Sequence, residues 1–302
     1  MSEHRAWLID SSIYIFRAWF SLPERWHDAR GMPLNAVYGY VSFLLDFIEQ
    51  ARFPRHCAAA FDESLGSCFR NDLYPAYKAS RELPDEALAF QLTTCKELTA
   101  TLGLPCYGGP RFEADDYIAS IARLCHHMDI PITVVTRDKD LGQVLLASED
   151  HWYDFADGRR LDAAGFADKH GVRPEFFADY LALVGDKIDD IPGVPGVGPK
   201  TAAALCAAYG NLEGIEANMD SLAELPVRGA KGLRDKLVRH WPQLELAREL
   251  TRLAERIPEI QHIPRSSISR SSLQALAHAL DELGLGSALS KRCAQLDRML
   301  AL

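Results

Sequence analysis

The sequence predicts an α/β protein, a central and mostly parallel sheet flanked by helices, followed by a smaller helical domain. Three observations predict it. Over the first ~180 residues, short apolar runs alternate with longer amphipathic stretches, the pattern of parallel strands joined by crossover helices. Each of the clearest apolar runs is followed at once, or within a few residues, by an acid. Beyond ~180 the strand signals largely stop, and helices punctuated by glycine and proline take over. With 302 residues, 48% of them hydrophobic and 25% charged, the chain can bury a large core and has neither a disordered nor a membrane composition.

The first strand is Ala6-Trp7-Leu8-Ile9, closed by Asp10. The second is Cys57-Ala58-Ala59-Ala60-Phe61, closed by Asp62, and the third is Ile132-Thr133-Val134-Val135, followed by Asp138 and Asp140. In open α/β sheets ligands bind in the crevice at the carboxyl ends of the strands, which places these four acids on one rim. Between the second and third strands a helix starts near Pro110 and carries Glu113, Asp115 and Asp116 in its first turn. Acids there complement the helix dipole, so N-terminal capping explains the triplet as well as ligation does. Asp186 and Asp189 lie in Leu183-Val184-Gly185-Asp186-Lys187-Ile188-Asp189-Asp190, at the join of the two halves. The expected boundary follows: an α/β domain over 1–178 and a helical domain over 179–302, the latter ending in an amphipathic tail that needs a surface to pack on.

Nine carboxylates brought together would raise one another's pKa or stay protonated unless compensated, and divalent metal is the natural compensation. Hard oxygen donors without a Cys or His cluster favour Mg²⁺, with Mn²⁺ as a substitute, over Zn²⁺. Two such ions can flank a phosphodiester, activating water on one side and stabilising the leaving oxygen on the other. The charge of −9 does not exclude a nucleic-acid partner, because setting those nine acids aside leaves the rest of the chain neutral.

Two further segments suit nucleic acid. In Gly193-Val194-Pro195-Gly196-Val197-Gly198-Pro199-Lys200-Thr201, a glycine turn opens a helix, where bare backbone N–H groups and the helix dipole receive a phosphate beside Lys200. Phe69 to Arg81, which includes Arg70, Tyr77 and Lys78, interleaves aromatic and basic side chains. Such a segment stacks on unpaired bases and holds their backbone, or is a solvated helix with a packed aromatic face. The seven cysteines form no CxxC pair, so they read as scattered thiols of a reducing cytoplasm. The N-terminus turns acidic at Asp10, too early for a signal peptide, and no apolar stretch approaches the ~18 residues of a membrane span.

Taken in order, LIDSS at Asp10, NAVYG at Asn35, FD at Asp62, FRNDLYPAYKASR, FEADD, TRDKDL, VGDKIDDIPGVPGVGPKTA and LGLGSAL resemble the 5′ nuclease family. That family comprises structure-specific flap endonucleases and 5′→3′ exonucleases and includes the N-terminal domain of bacterial DNA polymerase I. The resemblance implies a PIN-like fold with a helical arch around 67–100 and a helix-hairpin-helix, within a helix-three-turn-helix module, around 190–210. It implies a first metal cluster of Asp10, Asp62, Glu113, Asp115 and Asp116 and a second of Asp138, Asp140, Asp186 and Asp189. Lys78 and Arg81 match basic residues at the base of the arch, the lysine near the scissile phosphate; Tyr77 matches a nucleotide-contacting aromatic, and Arg17 an early basic position. Arg70 is assigned to the same DNA-binding set. Gly196, Gly198, Lys200 and Thr201 match the loop that grips the duplex backbone, with K⁺ held at Val194 and Val197.

The implied activity is Mg²⁺-dependent hydrolysis of DNA at 5′ flaps, nicks and single-stranded 5′ ends, by a free-standing bacterial, cytoplasmic monomer of replication and repair. The alternative is a structure-specific DNA-binding protein that no longer cleaves. Three departures from the family pattern stand out. Arg137 replaces a small residue before DKD, Gly142 follows DKDL where a bulkier residue is common, and Lys187 and Asp190 alter the GDKIDD segment, which predicts Lys187 as a cation beside the second cluster.

Overall fold

The computed structural model describes residues 4–301; residues 1–3, the start of the N-terminal stretch read above, and residue 302 lie outside the described residues. The chain begins with β1 (Ala6–Asp10), α1 (Ser11–Ser21), α2 (Asn35–Gln50), β2 (His56–Ala60), α3 (Phe69–Leu73), α4 (Glu86–Leu102) and β3 (Cys106–Tyr107). It continues with α5 (Ala114–His127), β4 (Ile132–Val135), β5 (His151–Asp154), β6 (Arg159–Leu161), α6 (Ala163–His170) and α7 (Phe177–Val184). A two-residue ribbon, β7 (Gly185–Asp186) with β8 (Ile191–Pro192), then leads to α8 (Pro199–Tyr209), α9 (Leu212–Ala217), α10 (Leu233–Thr251), α11 (Arg270–Glu282) and α12 (Gly286–Leu300).

The six-stranded sheet has the order β3-β2-β1-β4-β5-β6, parallel throughout except for β6, which returns antiparallel along β5. The three strands read from the sequence are its centre, in register with Ala6 beside both His56 and Ile132. Their residues are apolar on both faces because helices cover both. Trp7, Ile9, Cys57 and Ala59 pack beneath α2 and α4, whereas Leu8, Ala58, Ala60, Ile132 and Val134 pack on α5. Order switches at β1: the chain moves to β2 and β3 on one side and to β4 on the other, opening the crevice at the carboxyl ends of β1, β2 and β4.

Two expected boundaries shift. The 67–100 segment does not stand apart as a whole: Leu88, Cys95, Leu98 and Leu102 bury α4 in the main cluster, Cys68 and Tyr77 pack into the core of the later helices, and the exposed residues lie mostly between 78 and 87. The 179–302 segment is not one packing unit. Helices α7 to α10 share a core with Leu145, Trp152 and Phe166, but Leu273, Leu276, Leu280, Leu289 and Leu296 of α11 and α12 pack into the core of α2 and α4. The chain returns there through residues 252–269, tied by Ser120 Oγ to the Ala254 carbonyl at 2.9 Å and by the Ser267 amide to the Gly103 carbonyl at 2.8 Å. Among the described residues no helix is long and apolar enough to cross a membrane, and all seven cysteines are free thiols.

Candidate metal centre and nucleic-acid interface

Asp10 ends β1, and its carboxylate accepts a 2.8 Å hydrogen bond from Thr136 Oγ, just past β4. The same hydroxyl oxygen accepts the Asp138 amide at 2.9 Å, Asp138 Oδ1 accepts the Asp140 amide at 2.9 Å, and Trp152 Nε1 donates to the Asp138 carbonyl at 2.6 Å. Thr136 and Trp152 thereby lock the turn that displays Asp138 and Asp140, a role that sequence reading missed although Thr136 opens the TRDKDL string. The Asp62 amide is held by Ser12 Oγ at 2.8 Å, which fixes the end of β2 against the start of α1.

These acids line a cavity of about 480 Å³ together with Glu113, Asp115, Asp186 and Asp189. Its cations are Arg70, Lys78, Arg81, Arg137 and Lys139. Burial, reinforced by the charges of Asp138 and Asp62, pushes Asp10 up to about 7. Asp140 also reaches about 7, through burial and the Asp138 charge. Asp115 is raised well above the carboxylate range by burial and by Asp138 and Asp10, and burial raises Asp62 too, with Glu113 adding to it. Glu113 goes the other way: burial alone would raise it, but Lys78 and Arg70 hold it low. Lys139, 2.9 Å from Asp186, similarly outweighs burial there.

Two assignments are corrected by this geometry. Arg70, expected on DNA, is 2% exposed, and its guanidinium donates twice to Asp116 at 2.7 Å, once to Glu113 at 2.9 Å, and to the carbonyls of Leu250 and Arg252. It is a buried structural cation with no donor left for a phosphate. Asp116, expected on metal, is fully buried; besides Arg70 it receives the amides of Glu113 and Ala254, so its oxygens are spent. Glu113 and Asp116 form a capping box on α5, so capping accounts for Asp116, while Asp115 of the same turn lines the cavity. Tyr77, expected against a nucleotide, lines the cavity but is 3% exposed, its hydroxyl donating to Glu113 at 2.8 Å.

The cation beside the second cluster is Lys139, which contacts both Asp140 and Asp186, and Lys187 is exposed away from it. The DKD spacing already placed a lysine between two acids, and that was the overlooked signal. Asp190 takes a different part. Its carboxylate accepts the Ser80 amide at 2.8 Å, and the Asp189 carbonyl accepts the Lys78 amide at 3.0 Å, so the 186–190 loop clasps the segment that carries Lys78 and Arg81. Arg81 pairs with Asp189 at 2.6 Å; Lys78 lies 3.8 Å from Asp189 and also pairs with Glu113.

With these cations in place, no three His, Cys, Asp or Glu side chains among the described residues converge closely enough to hold an ion as they stand. The donor set nonetheless suits a hard divalent cation. It is all carboxylate, and several members carry a desolvation penalty that a bound cation or a proton would relieve. On the helical side, Gly196, Gly198 and Lys200 are exposed and Thr201 is half-buried at the start of α8, while Val194 and Val197 bury their side chains. Arg17 is exposed on α1 outside the cavity lining.

Sheet topology and an acid-lined crevice at its switch point define an α/β protein with a carboxylate-rich cavity, joined to helices that present a glycine loop. Family models agree with that division: one described as "5'-3' exonuclease, N-terminal resolvase-like domain" matches residues 5–171, and one described as "5'-3' exonuclease, C-terminal SAM fold" matches residues 172–272. The chain belongs to the 5′-3′ exonuclease family. It is 37% identical to DNA polymerase I of Pseudomonas aeruginosa over 93% of this chain and 31% of that protein. It is 36% identical to that of Rhizobium leguminosarum over 83% of this chain and 24% of that protein. The chain thus spans roughly a quarter to a third of the length of these curated relatives. Among solved structures it is similar in fold to the T5 5′-exonuclease with divalent zinc bound, with a TM-score of 0.66 at 21% identity over 97% of this chain and 99% of that one. The catalytic core of Rad2 in complex with DNA substrate has a TM-score of 0.62 at 18% identity, over 99% and 92%.

Proposed function

We propose that the chain is a divalent-metal-dependent 5′ nuclease that hydrolyses phosphodiester bonds at 5′ flaps, nicks and single-stranded 5′ ends of DNA. It would act as flap endonuclease and 5′→3′ exonuclease in replication and repair, as a monomer of the bacterial cytoplasm. The observation that carries this reading is the convergence of eight carboxylates from five chain segments on one cavity that also holds Lys78 and Arg81. Its relatives add support, one solved neighbour being described with divalent ions and another with a DNA substrate.

Asp10, Asp62, Glu113 and Asp115 would hold one Mg²⁺ or Mn²⁺ ion, and Asp138, Asp140, Asp186 and Asp189 a second. Such ions, when bound, supply charge neutralisation at the phosphodiester and lower the pKa of a water. The chain's own residues do the rest. Without ions, burial works against the Lys78 charge, while Glu113, Asp189 and Asp62 raise its pKa above the ordinary lysine value. As an ammonium it would serve as an electrostatic partner for the scissile phosphate. Arg81 offers a planar fork to the same or the adjacent phosphate. The exposed backbone of Gly196 and Gly198, with Lys200 and Thr201, would grip the duplex, and K⁺ at the backbone of Val194 and Val197 belongs to the same proposal.

A 5′-labelled flap duplex tests the reading. Cleavage is expected in Mg²⁺, none in EDTA, and a loss of at least about 100-fold with Asp138→Ala. Equal cleavage under all three conditions overturns it. Tight flap binding without product, even in Mn²⁺, would replace it with the DNA-binding reading.

A further inference from the structure

Of the five cations that line the cavity, four are paired with acids of the same site. Arg70 is locked to Asp116 and Glu113, Lys78 contacts Glu113 and Asp189, Arg81 contacts Asp189, and Lys139 contacts Asp140 and Asp186. Arg137 is different. Its Nε lies 3.1 Å from Asp154 Oδ2 and its Nη2 3.9 Å from Asp157, and neither acid lines the cavity. Asp154 ends β5, is buried, and uses its other oxygen to accept the Ala156 amide at 3.0 Å, so the anchor is rigid.

A divalent ion on the acids would compete with Lys78, Arg81 and Lys139 for their carboxylate partners. It would leave the Arg137–Asp154 pair untouched. The Arg137 side chain is 40% exposed, and only its Nε is committed at close range, which leaves the two terminal nitrogens as a donor fork. It stands one residue before Asp138, on a rim where acids outnumber cations, at a position where this chain departs from the family pattern. A polyanionic strand entering that rim meets a positive charge whose terminal nitrogens are open to a phosphate.

We propose that Arg137 is a phosphate-contact residue of the cavity, its guanidinium held by Asp154 and receiving a backbone phosphate of the DNA strand that lies there. The inference rests on the proposed nuclease reading. Its test is the equilibrium binding of a fluorescein-labelled 5′-flap DNA in EDTA, measured across a KCl series for the wild-type protein, Arg137→Ser and Arg137→Lys. Losing one phosphate contact makes log K against log[salt] shallower by about one and weakens binding at low salt by about tenfold. Arg137→Ser is expected to show both effects while remaining folded at the assay temperature, at a lower melting temperature because buried Asp154 loses its cation. Arg137→Lys, which keeps the charge, is expected to keep the wild-type slope. An Arg137→Ser protein with wild-type affinity and slope overturns the inference, as does an affinity loss at unchanged slope or an Arg137→Lys slope equal to that of the serine variant. A wild-type protein that binds no flap DNA at all would overturn the proposed function, and this inference with it.

Discussion

Arg70 shows how one side chain can be read wrongly from its neighbours in sequence. It sits in a run of aromatic and basic residues, yet its guanidinium is the counter-ion of two buried acids, Asp116 and Glu113. Arg70→Met should therefore act on stability. It strands buried Asp116 without a cation and leaves Glu113 only Lys78, at a cost of about 3 to 5 kcal/mol, read as a shift of the urea midpoint. Asp10 and Asp140 carry the opposite strain, since both titrate near 7 against an ordinary 3.8. Between roughly pH 4 and pH 7 the folded chain then binds more protons than the unfolded one, so these two groups make metal-free stability fall as pH rises through that window. Melting temperatures from pH 5 to 8 in EDTA should decline, Asp140→Asn should flatten the decline, and Mn²⁺ should raise the melting temperature most at the alkaline end, where the acids are already deprotonated.

At the scale of elements, several pieces are finished by distant residues. Helix α2 has no capping side chain of its own, and Gln91 of α4 accepts the amides of Ala36 and Val37 at 2.7 and 3.2 Å. Helix α5 is capped by acids within its first turn, which leaves Asp115 to face the cavity. The β7–β8 ribbon that carries Asp186 depends on two glycines packed backbone to backbone. A Cβ on Gly193 would lie 2.2 Å from the Val184 carbonyl carbon, and Gly185 has φ +83°. Gly193→Ala should force the ribbon apart and displace Asp186 and Asp189. The expected result is a loss of about 1 to 3 kcal/mol in stability together with weaker Mn²⁺ binding by calorimetry. Unchanged Mn²⁺ affinity would show that the ribbon does not place those acids.

For the whole molecule, the notable feature is the return of the chain to its starting domain. After α10, residues 252–269 run back along α5 and the sheet, and the α11–α12 hairpin covers α2 and α4. Arg292 adds ion pairs to Asp46 and Glu49 across that contact. The contribution of these exposed pairs is small beside the buried leucines. Truncation after residue 268 should uncover part of the core cluster around α2 and α4 and leave the α/β unit aggregation-prone, with dye binding to exposed apolar surface at 25 °C. A soluble truncated chain with full flap cleavage would contradict this view of the hairpin as part of the catalytic unit.

The order of apolar runs, the acids that close them and the glycine turn were legible from sequence, because strand periodicity, the location of sites at strand ends and the backbone needs of a phosphate loop are local properties. They sufficed for the sheet centre, for Asp10, Asp62, Asp115, Asp138, Asp140, Asp186 and Asp189 as cavity acids, and for the change from strands to helices after α7. Which charges face which was decided only by tertiary structure. Arg70 and Asp116 are 46 positions apart and Arg137 and Asp154 are 17, and only their packing shows that one pair is sealed in the core while the other leaves a donor fork at the cavity rim. The placement of α11 and α12 belongs to the same category: their amphipathic pattern says that one face must be buried, and the choice of partner depends on where residues 252–269 carry the chain.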